Sequence, residues 1–321
     1  MRILVTGSNG FIGGRVAADA VERGWEVVGL GRAARPTTPV SDYVQHDLRL
    51  PLHSRTIPGS VDAVVHCAAL AAPWAPPRAF VAANVEGTRS VVRWAMEHGG
   101  APHLAYVSSS SVHYRDRDQL DLTESSPIPP DAEQINVYAR TKRIGERIVE
   151  RYPGSWTVLR PRAVFGPGDT SLLPRIADAA RKGVLPVLEP ADGPRVRCDV
   201  AYVDTIAHYL TQAVEVGASG AYVLTNAEPV ELYPFLLGLL EQLGIRPRAR
   251  RVPVGLATAL AGTAERVSAT LLGYREPPVT RFGVSVLARS KTFDVTRTLD
   301  DLGQPWVNLD EGVRRLVAAH G

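Results

Sequence analysis

Tyr138 and Lys142 stand four residues apart in the run Tyr138-Ala139-Arg140-Thr141-Lys142. On a helix that spacing puts both side chains on one face. A free phenol titrates at about 10. A neighbouring ammonium favours the phenolate and lowers that value. The pair can then give a proton to a carbonyl oxygen or take one from an alcohol. By itself the spacing is common and equally describes a solvated helix face. Upstream, Tyr106-Val107 runs into four serines, Ser108 to Ser111. A hydroxyl at such a strand end could hydrogen-bond a substrate oxygen and orient it beside the phenol.

A second constellation opens the chain. Ile3-Leu4-Val5 leads into Thr6-Gly7-Ser8-Asn9-Gly10-Phe11-Ile12-Gly13. The pattern is a buried strand, a glycine turn, then a helix with Val16, Ala17, Ala20 and Val21 at helical spacing, ended by Gly24. Gly7 permits the tight turn. Gly10 lets the backbone approach a pyrophosphate held by the helix N-terminus, and Gly13 lets helix and strand pack closely. This is a dinucleotide turn, and Asn9, Phe11 and Ile12 lie on it. An oxidised nicotinamide ring near Tyr138 would favour the phenolate further. The second strand, Val27-Val28-Gly29-Leu30, ends in Gly31-Arg32, with Arg35 close by. A carboxylate there would hold the ribose diol of NAD, whereas an arginine pairs with the 2′-phosphate of NADP. NADP(H) is therefore expected in preference to NAD(H). Asp47-Leu48 follows the next short strand and is placed to meet the adenine edge.

The elements that must position these groups alternate in type. Val61 to Ala68, Leu104 to Ser108 and Thr157 to Leu159 read as strands. Apolar stripes at Val85, Val91, Val92 and Ala95, and at Ile144, Ile148 and Val149, mark helices between them. That alternation predicts an α/β fold, a doubly wound parallel sheet of Rossmann type. After Pro161 the rhythm weakens. Residues 1–169 are expected to form the dinucleotide-binding domain, with segments near 198–226 returning to it. Residues 170–321 are expected to form mainly a smaller substrate-binding domain. The polar, proline-rich stretch Ser111 to Pro130 reads as a loop. Phe235 to Leu240 and Val254 to Leu260 supply apolar surface, either core or the lining of a pocket for a greasy substrate. Arg246, Arg248, Arg250 and Arg251 suit a phosphate, or simply a solvated face.

Composition narrows the field. With 36 Lys and Arg against 33 Asp and Glu, the net charge of +3 argues against a dedicated nucleic-acid binder or a polybasic membrane protein. Hydrophobic residues at 45% and charged residues at 21% suit a globular core. Val252 to Ala264, an uncharged stretch, is too short to span a bilayer. The apolar run after Met1-Arg2 is too short for a secretion leader, so a cytoplasmic protein is expected. Two cysteines, Cys67 and Cys198, provide neither a disulfide framework nor a cysteine-rich zinc site. No P-loop, H-E-x-x-H or G-x-S-x-G motif occurs.

Taken together, the motifs resemble those of the extended short-chain dehydrogenase/reductases, the superfamily of NAD-dependent epimerases and dehydratases. The matching pieces are T-G-S-N-G-F-I-G at the start, H-D-L at 46–48, V-V-H-C-A-A at 64–69, N-V-E-G-T at 84–88, Y-V-S-S-S-S-V from 106, Y-A-R-T-K at 138–142 and L-R-P-R-A-V-F-G-P-G-D at 159–169. The closing F-D-V-T-R-T-L-D-D-L-G-Q-P-W and L-D-E-G-V-R-R-L also match, so the likeness covers nearly the whole chain in order. The resemblance implies that Tyr138 is the acid/base and that Lys142 holds the nicotinamide ribose and lowers the Tyr138 pKa. It makes Ser109 the hydroxyl that polarises substrate, with Ser110 the fallback. Asn84 would support the hydrogen-bond network, or else merely cap a helix. Ala68 and Ala69 would line the cofactor, and Pro161 to Val164 would pass near the nicotinamide amide, Pro161 otherwise being only a turn. Helices beginning near Asn84 and Tyr138 would form a homodimer interface.

Within the superfamily the chain departs from several branches. Val112-His113-Tyr114 replaces the usual V-Y-G, and His113 reads as a local packing or polar contact, since Tyr138 already fills the role of base. Ser109-Ser110-Ser111 replaces the Thr-Asp-Glu of sugar-nucleotide dehydratases. Ala163 stands where UDP-sugar epimerases carry Asn. The 159–176 stretch, Tyr202-Val203-Asp204 and P-P-V-T-R-F at 277–282 resemble the 3β-hydroxysteroid dehydrogenase and 2-alkyl-3-oxoalkanoate reductase branch. The expected activity is NADP(H)-dependent interconversion of ketone and secondary alcohol on an apolar or polyketide-like small molecule. A sugar-nucleotide epimerase or reductase is the alternative enzyme, and a non-catalytic NADP-binding sensor the alternative of another class. That last reading predicts loss of the Tyr/Lys pair, which is present.

Overall fold

A computed structural model describes residues 1–97, 101–170, 173–189 and 193–320. Its centre is strand β1 (Arg2–Thr6). Ile3, Leu4 and Val5 are fully buried because both faces of the sheet are covered. Alternation sends Ile3 and Val5 to one side, against Val16, Ala17 and Ala20 of helix α1 (Phe11–Glu22) and against Ile206 and Leu210. It sends Leu4 to the other side, against Val91, Trp94, Ala95 and Val149. Strands β2 (Glu26–Gly31), β3 (Asp42–Gln45), β4 (Ala63–His66) and β5 (His103–Val107) follow. With Trp156–Pro161 and Gly220–Leu224 they make a seven-stranded parallel sheet. Its order is Gly220–Leu224, Trp156–Pro161, β5, β4, β1, β2, β3. The direction of winding reverses between β1 and β4. The carboxyl ends of those two strands therefore open the crevice in which such sheets bind ligands.

Beside this sheet, Val230–Glu231, Arg197–Cys198, Lys291–Phe293 and Gln119–Leu122 form a small four-stranded sheet. The stretch expected as a loop, Ser111 to Pro130, is thus partly structured. It carries most of a 3-10 turn at Ser110–His113, the strand Gln119–Leu122 and a 3-10 turn at Asp131–Glu133 just beyond it. The strand was hidden because its partner, Lys291–Phe293, lies far along the chain, and short polar strands carry little pattern of their own. Phe235 to Leu240 serves mainly as core, with Leu237 lining a cavity beside Tyr233 and Arg251, away from Tyr138. Leu236, Leu239 and Leu240 of helix Leu232–Gln242 are buried against Leu173, Leu185 and Tyr233.

One helix, Val137–Val149, packs on the sheet face that holds Leu4 and Tyr106, through Ile148 and Val149. Asn136 caps it, its Oδ1 accepting from Ala139 N–H at 2.7 Å. Gly145 lets it close on the sheet, since a β-carbon there would stand 2.1 Å from Tyr106 Oη. Glu146 is fully buried in its next turn and accepts from Arg160 Nε at 2.8 Å, Arg160 Nη2 at 3.1 Å and Ser108 Oγ at 2.6 Å. Arg160 is 3% exposed and also donates to His113 Nε2 at 3.0 Å. The arginine holds the Glu146 carboxyl below its ordinary range against the opposing effect of burial. Removing one member of such a pair strands a buried charge, at a cost of about 3–5 kcal/mol. Glu146→Ala is expected to lose stability by about that amount in urea unfolding; a loss below about 1 kcal/mol, the range of an exposed pair, would show that the ion pair does not hold this helix.

Candidate active site

The glycine turn is built as a cradle that side chains would fill. Gly7 has φ +69°, and a β-carbon there would sit 2.9 Å from Ala68 Cα. At Gly13 a β-carbon would lie 2.2 Å from the Gly7 carbonyl oxygen, so α1 crosses β1 at contact distance. At Gly10 the corresponding distance is 3.1 Å. No side chain caps α1, whose N-cap is Gly10. Its first N–H groups are left for an anion, as a pyrophosphate requires. Phe11 and Ile12 begin that helix.

Asn9 ties this turn to the loop after β2. Its Nδ2 donates to Arg35 O at 2.8 Å and its Oδ1 accepts from Thr37 N–H at 3.0 Å. Arg32 and Arg35 are both exposed on that loop, and Arg32 O accepts from Gln45 Nε2 at 3.2 Å. The tip of β2 is further narrowed by Tyr43, whose Oη would lie 2.8 Å from a β-carbon at Gly31. Asp47 is held below its ordinary pKa, chiefly by the hydrogen bond from the Arg49 guanidinium. Leu48 next to it is buried.

Beneath the crevice lies a polar relay. His66 at the end of β4 is 1% exposed, with Nδ1 2.7 Å from Thr6 Oγ1 and Nε2 3.1 Å from Thr88 Oγ1. Thr88 gives its own proton to Asn84 O at 2.7 Å. His66 therefore donates from Nε2 and accepts from Thr6 at Nδ1, the neutral tautomer. Burial agrees, pushing its pKa down to about 3. Ala68 N–H donates to Thr6 Oγ1 at 3.2 Å, while Ala69 is exposed beside it.

Asn84 is no helix cap. It sits in a π-helical stretch, Val81–Glu86, between α-helical Pro77–Phe80 and Gly87–Glu97. Its Oδ1 accepts from Leu70 N–H at 2.7 Å, and its Nδ2 donates to Leu70 O at 3.2 Å and Thr141 Oγ1 at 3.0 Å. Thr141 in turn donates to Tyr138 O at 2.9 Å. One buried amide thus links the loop after β4 to the helix bearing Tyr138 and Lys142. Such π-turns recur at functional sites.

Lys142 is 2% exposed and its Nζ stands 4.3 Å from the centroid of the Tyr106 ring. Its ammonium has no hydrogen bond among the described residues, an unusual state for a buried cation. Burial pushes its pKa down to about 7, against the fields of Glu146 and Cys67. Tyr138 lies one turn back and packs 6.4 Å from Phe80. The expected lowering of its pKa is not found. Burial pushes it up to about 12, and only a hydrogen bond with Ser109 works the other way. The reason is burial, which opposes the charged form of both groups, the phenolate and the ammonium. The phenol is accordingly protonated at neutral pH.

Of the serines, Ser108 is consumed by Glu146, and Ser110 faces Tyr114 Oη at 3.2 Å. Ser109 alone meets Tyr138. Its Oγ also lies 2.9 Å from Ser111 Oγ. Pro161 closes its strand, and Val164 pairs with Ala201 just beyond it. His113 is fully buried on Arg160 and packs 6.4 Å from Phe293, away from the phenol's cleft.

Tyr138 opens on a cleft of about 990 Å³ walled by Trp74, Phe80, Tyr114, Tyr274 and Phe282. Helix Val254–Leu271 contributes Thr258, Glu265, Arg266 and Ala269, rather than the expected leucines. Trp74 went unnoticed in the sequence. Its Nε1 donates to Ser268 Oγ at 2.9 Å and its ring lies 6.0 Å from Tyr274, joining the loop after β4 to the smaller lobe. A lone tryptophan among the prolines of 73–77 was the available signal.

This geometry defines a dinucleotide enzyme of the Rossmann type. Residues 3–224 match the NAD dependent epimerase/dehydratase family, and the chain belongs to that family. It is 32% identical to the 2-alkyl-3-oxoalkanoate reductase of Stenotrophomonas maltophilia, across 99% of either chain. It is 31% identical to the 4-hydroxy-2-methyl-3-oxo-4-farnesyl-3,4-dihydroquinoline-1-oxide ketoreductase of Stigmatella aurantiaca, over 94% of this chain and 91% of that one. In fold it is similar to the UDP-glucose 4-epimerase of Thermus thermophilus solved with NAD, with a TM-score of 0.74 at 22% identity, covering 100% of this chain and 99% of that one. The protein is an NAD(P)-dependent dehydrogenase or reductase, and its cofactor is a nicotinamide dinucleotide.

The buried imidazole of His113 makes a prediction about pH. Burial, with the nearby Arg160, pushes its pKa down to about 4. The unfolded chain binds the proton at an ordinary pKa of about 6.5. Between these values the unfolded state holds more protons, so stability falls as pH drops through that window, by at most about 1.4 kcal/mol per pH unit. His113→Gln keeps an acceptor for Arg160 and cannot titrate. Its unfolding free energy should fall less steeply than the wild type's between pH 6.5 and pH 4; equal slopes would contradict the assignment.

Proposed function

We propose that the protein interconverts a ketone and a secondary alcohol on an apolar or polyketide-like 3-oxo or 3-hydroxy substrate, using NADP(H). The observation that carries this reading is the Tyr138 phenol opening on a cleft with aromatic walls, with Ser109 beside it and the buried Lys142 ammonium one turn behind, over the Tyr106 ring. The glycine cradle fits the cofactor. The Gly7–Gly13 turn would hold the pyrophosphate, and Arg32 and Arg35 the 2′-phosphate. Leu48 and Asp47 would border the adenine. Ala68, Ala69, Pro161 and Val164 would border the nicotinamide, whose ribose Lys142 would bind. When bound, the nicotinamide supplies a hydride to the carbon bearing the oxygen, or accepts one from it.

The chain's own groups do the rest. Ser109 donates a hydrogen bond to the substrate carbonyl oxygen and orients it. Tyr138, protonated at neutral pH, gives that oxygen a proton in reduction. In oxidation the phenol must first be deprotonated, which a fully charged Lys142 would assist. Asn84 acts as a positioning residue, through Thr141 and Leu70. The aromatic walls suit an apolar substrate, while Arg115, Arg266 and Arg281 on the same cleft suit a sugar nucleotide, the alternative; the retained Tyr/Lys pair favours an enzyme over a sensor. The relatives named as reductases of 3-oxo compounds support the substrate class. We place the protein in the cytoplasm, as a homodimer paired through the outer faces of Gly87–Glu97 and Val137–Val149.

Two substitutions test this. Tyr138→Phe should lower kcat for NADPH-dependent reduction of a 3-oxo acid by about 10²–10⁴-fold with little change in NADPH affinity; undiminished turnover would remove Tyr138 from the chemistry. Arg32→Asp should shift the kcat/KM ratio toward NADH by about tenfold or more, because a carboxylate repels the 2′-phosphate. An unchanged ratio would refute the contact at Arg32.

A further inference from the structure

Helix Val254–Leu271 turns its apolar side to the outside. Ala257, Ala261, Glu265 and Ser268 face the protein. Leu256, Leu260, Val267 and Leu271 face away from it, with exposures of 54%, 57%, 40% and 77%. Spacings of four, seven and four place them on one stripe, which the exposed Leu272 extends. The helix contains one carboxylate, Glu265, and it points inward, accepting from Arg281 N–H and Nε, each at 2.7 Å. The outer face therefore carries no acid. Its ends carry bases. The strand Arg248–Arg251, all four residues exposed, leads into the helix, and exposed Arg275 follows it. Arg248, Arg250, Arg251 and Arg275 form no ion pair among the described residues.

We propose that this face docks on an anionic lipid bilayer, with the helix lying in the headgroup plane. An apolar stripe ended by cations fits that surface: the leucines enter the acyl boundary and the arginines meet lipid phosphates. The helix is not long and apolar enough to cross a membrane, so it lies on the surface. A second copy of the chain fits less well. A two-fold contact sets the stripe against itself and brings arginine-bearing ends together, and the neighbouring carboxylate, Glu276, is already paired with Arg175 at 3.2 Å. The inner side of the same helix lines the active-site cleft through Thr258, Glu265 and Ala269, with Arg266 at the border. Docking thus brings the cleft beside the bilayer, where an apolar substrate could enter without crossing water. That consequence rests on the substrate reading above; the docking itself does not.

Co-sedimentation with vesicles tests it on the full chain, without reference to turnover. The wild type should sediment with mixed phosphatidylcholine and phosphatidylglycerol vesicles, weakly with phosphatidylcholine alone, and less as salt rises. Leu260→Glu/Leu271→Glu should reduce binding to the mixed vesicles at least about tenfold while keeping the wild-type melting temperature. Arg248→Gln/Arg250→Gln, which leaves the stripe intact, should weaken binding to mixed vesicles and reduce its salt dependence. Failure of the wild type to bind mixed vesicles, or equal binding by the leucine variant, would overturn the proposal. So would a wild-type oligomer that the leucine substitutions dissociate, which would assign the stripe to a second copy.

Discussion

A buried carboxylate fixes the face that the helix of Tyr138 and Lys142 presents. Tyr138, Lys142 and Glu146 recur every four residues, so they lie along one stripe of Val137–Val149. Glu146 can leave water only where Arg160, Ser108 and the helix's own Arg143 meet it, and Arg160 sits on the strand Trp156–Pro161. A helix rotated or slid by one residue would strand both charges, which a low-dielectric interior penalises heavily. Satisfying Glu146 therefore aims Lys142 and Tyr138 at the strand ends. Gly145 completes the constraint by admitting Tyr106 to the helix surface. The ring of Tyr106 then lies under the Lys142 ammonium.

The nucleotide side is fixed independently, by close backbone approach. Gly7 and Gly13 allow β1, α1 and the end of β4 to meet at distances that no larger residue permits. Asn9 draws the loop with Arg32 and Arg35 onto the same turn. Asn84 then joins the halves, gripping Leu70 on one side and Thr141 on the other. The glycine turn and the helix of Tyr138 and Lys142 thereby share one frame, while helix Val254–Leu271 supplies further walls of the cleft.

How much of this was legible follows from which interactions are local. The strand–glycine–helix opening, the alternation up to Pro161 and the Tyr138/Lys142 spacing are local patterns, and the seven parallel strands and family membership bear out the fold they imply. Gln119–Leu122 was illegible because its ladder partner lies far along the chain. The apolar runs at 235–240 and 254–260 looked alike, yet one is core and the other partly faces outward; periodicity reports a stripe and not what covers it. Glu146, one turn beyond Lys142, was visible as a charge, but its burial depends on Arg160 and could not be read from either residue. The phenol's pKa went the other way from expectation because burial acts on both members of the Tyr/Lys pair, and burial is a tertiary quantity.

These constraints underlie the arrangement we propose, a phenol and an ammonium turned toward a dinucleotide on the glycine turn. A crystal structure of the NADPH complex measures it most directly. The account predicts the pyrophosphate against the Gly7–Gly13 backbone, Lys142 Nζ bonded to the nicotinamide ribose, and Tyr138 Oη facing the nicotinamide ring across the space for substrate. A Tyr138 hydroxyl turned away from that ring, or a nucleotide bound elsewhere than the glycine turn, would contradict it.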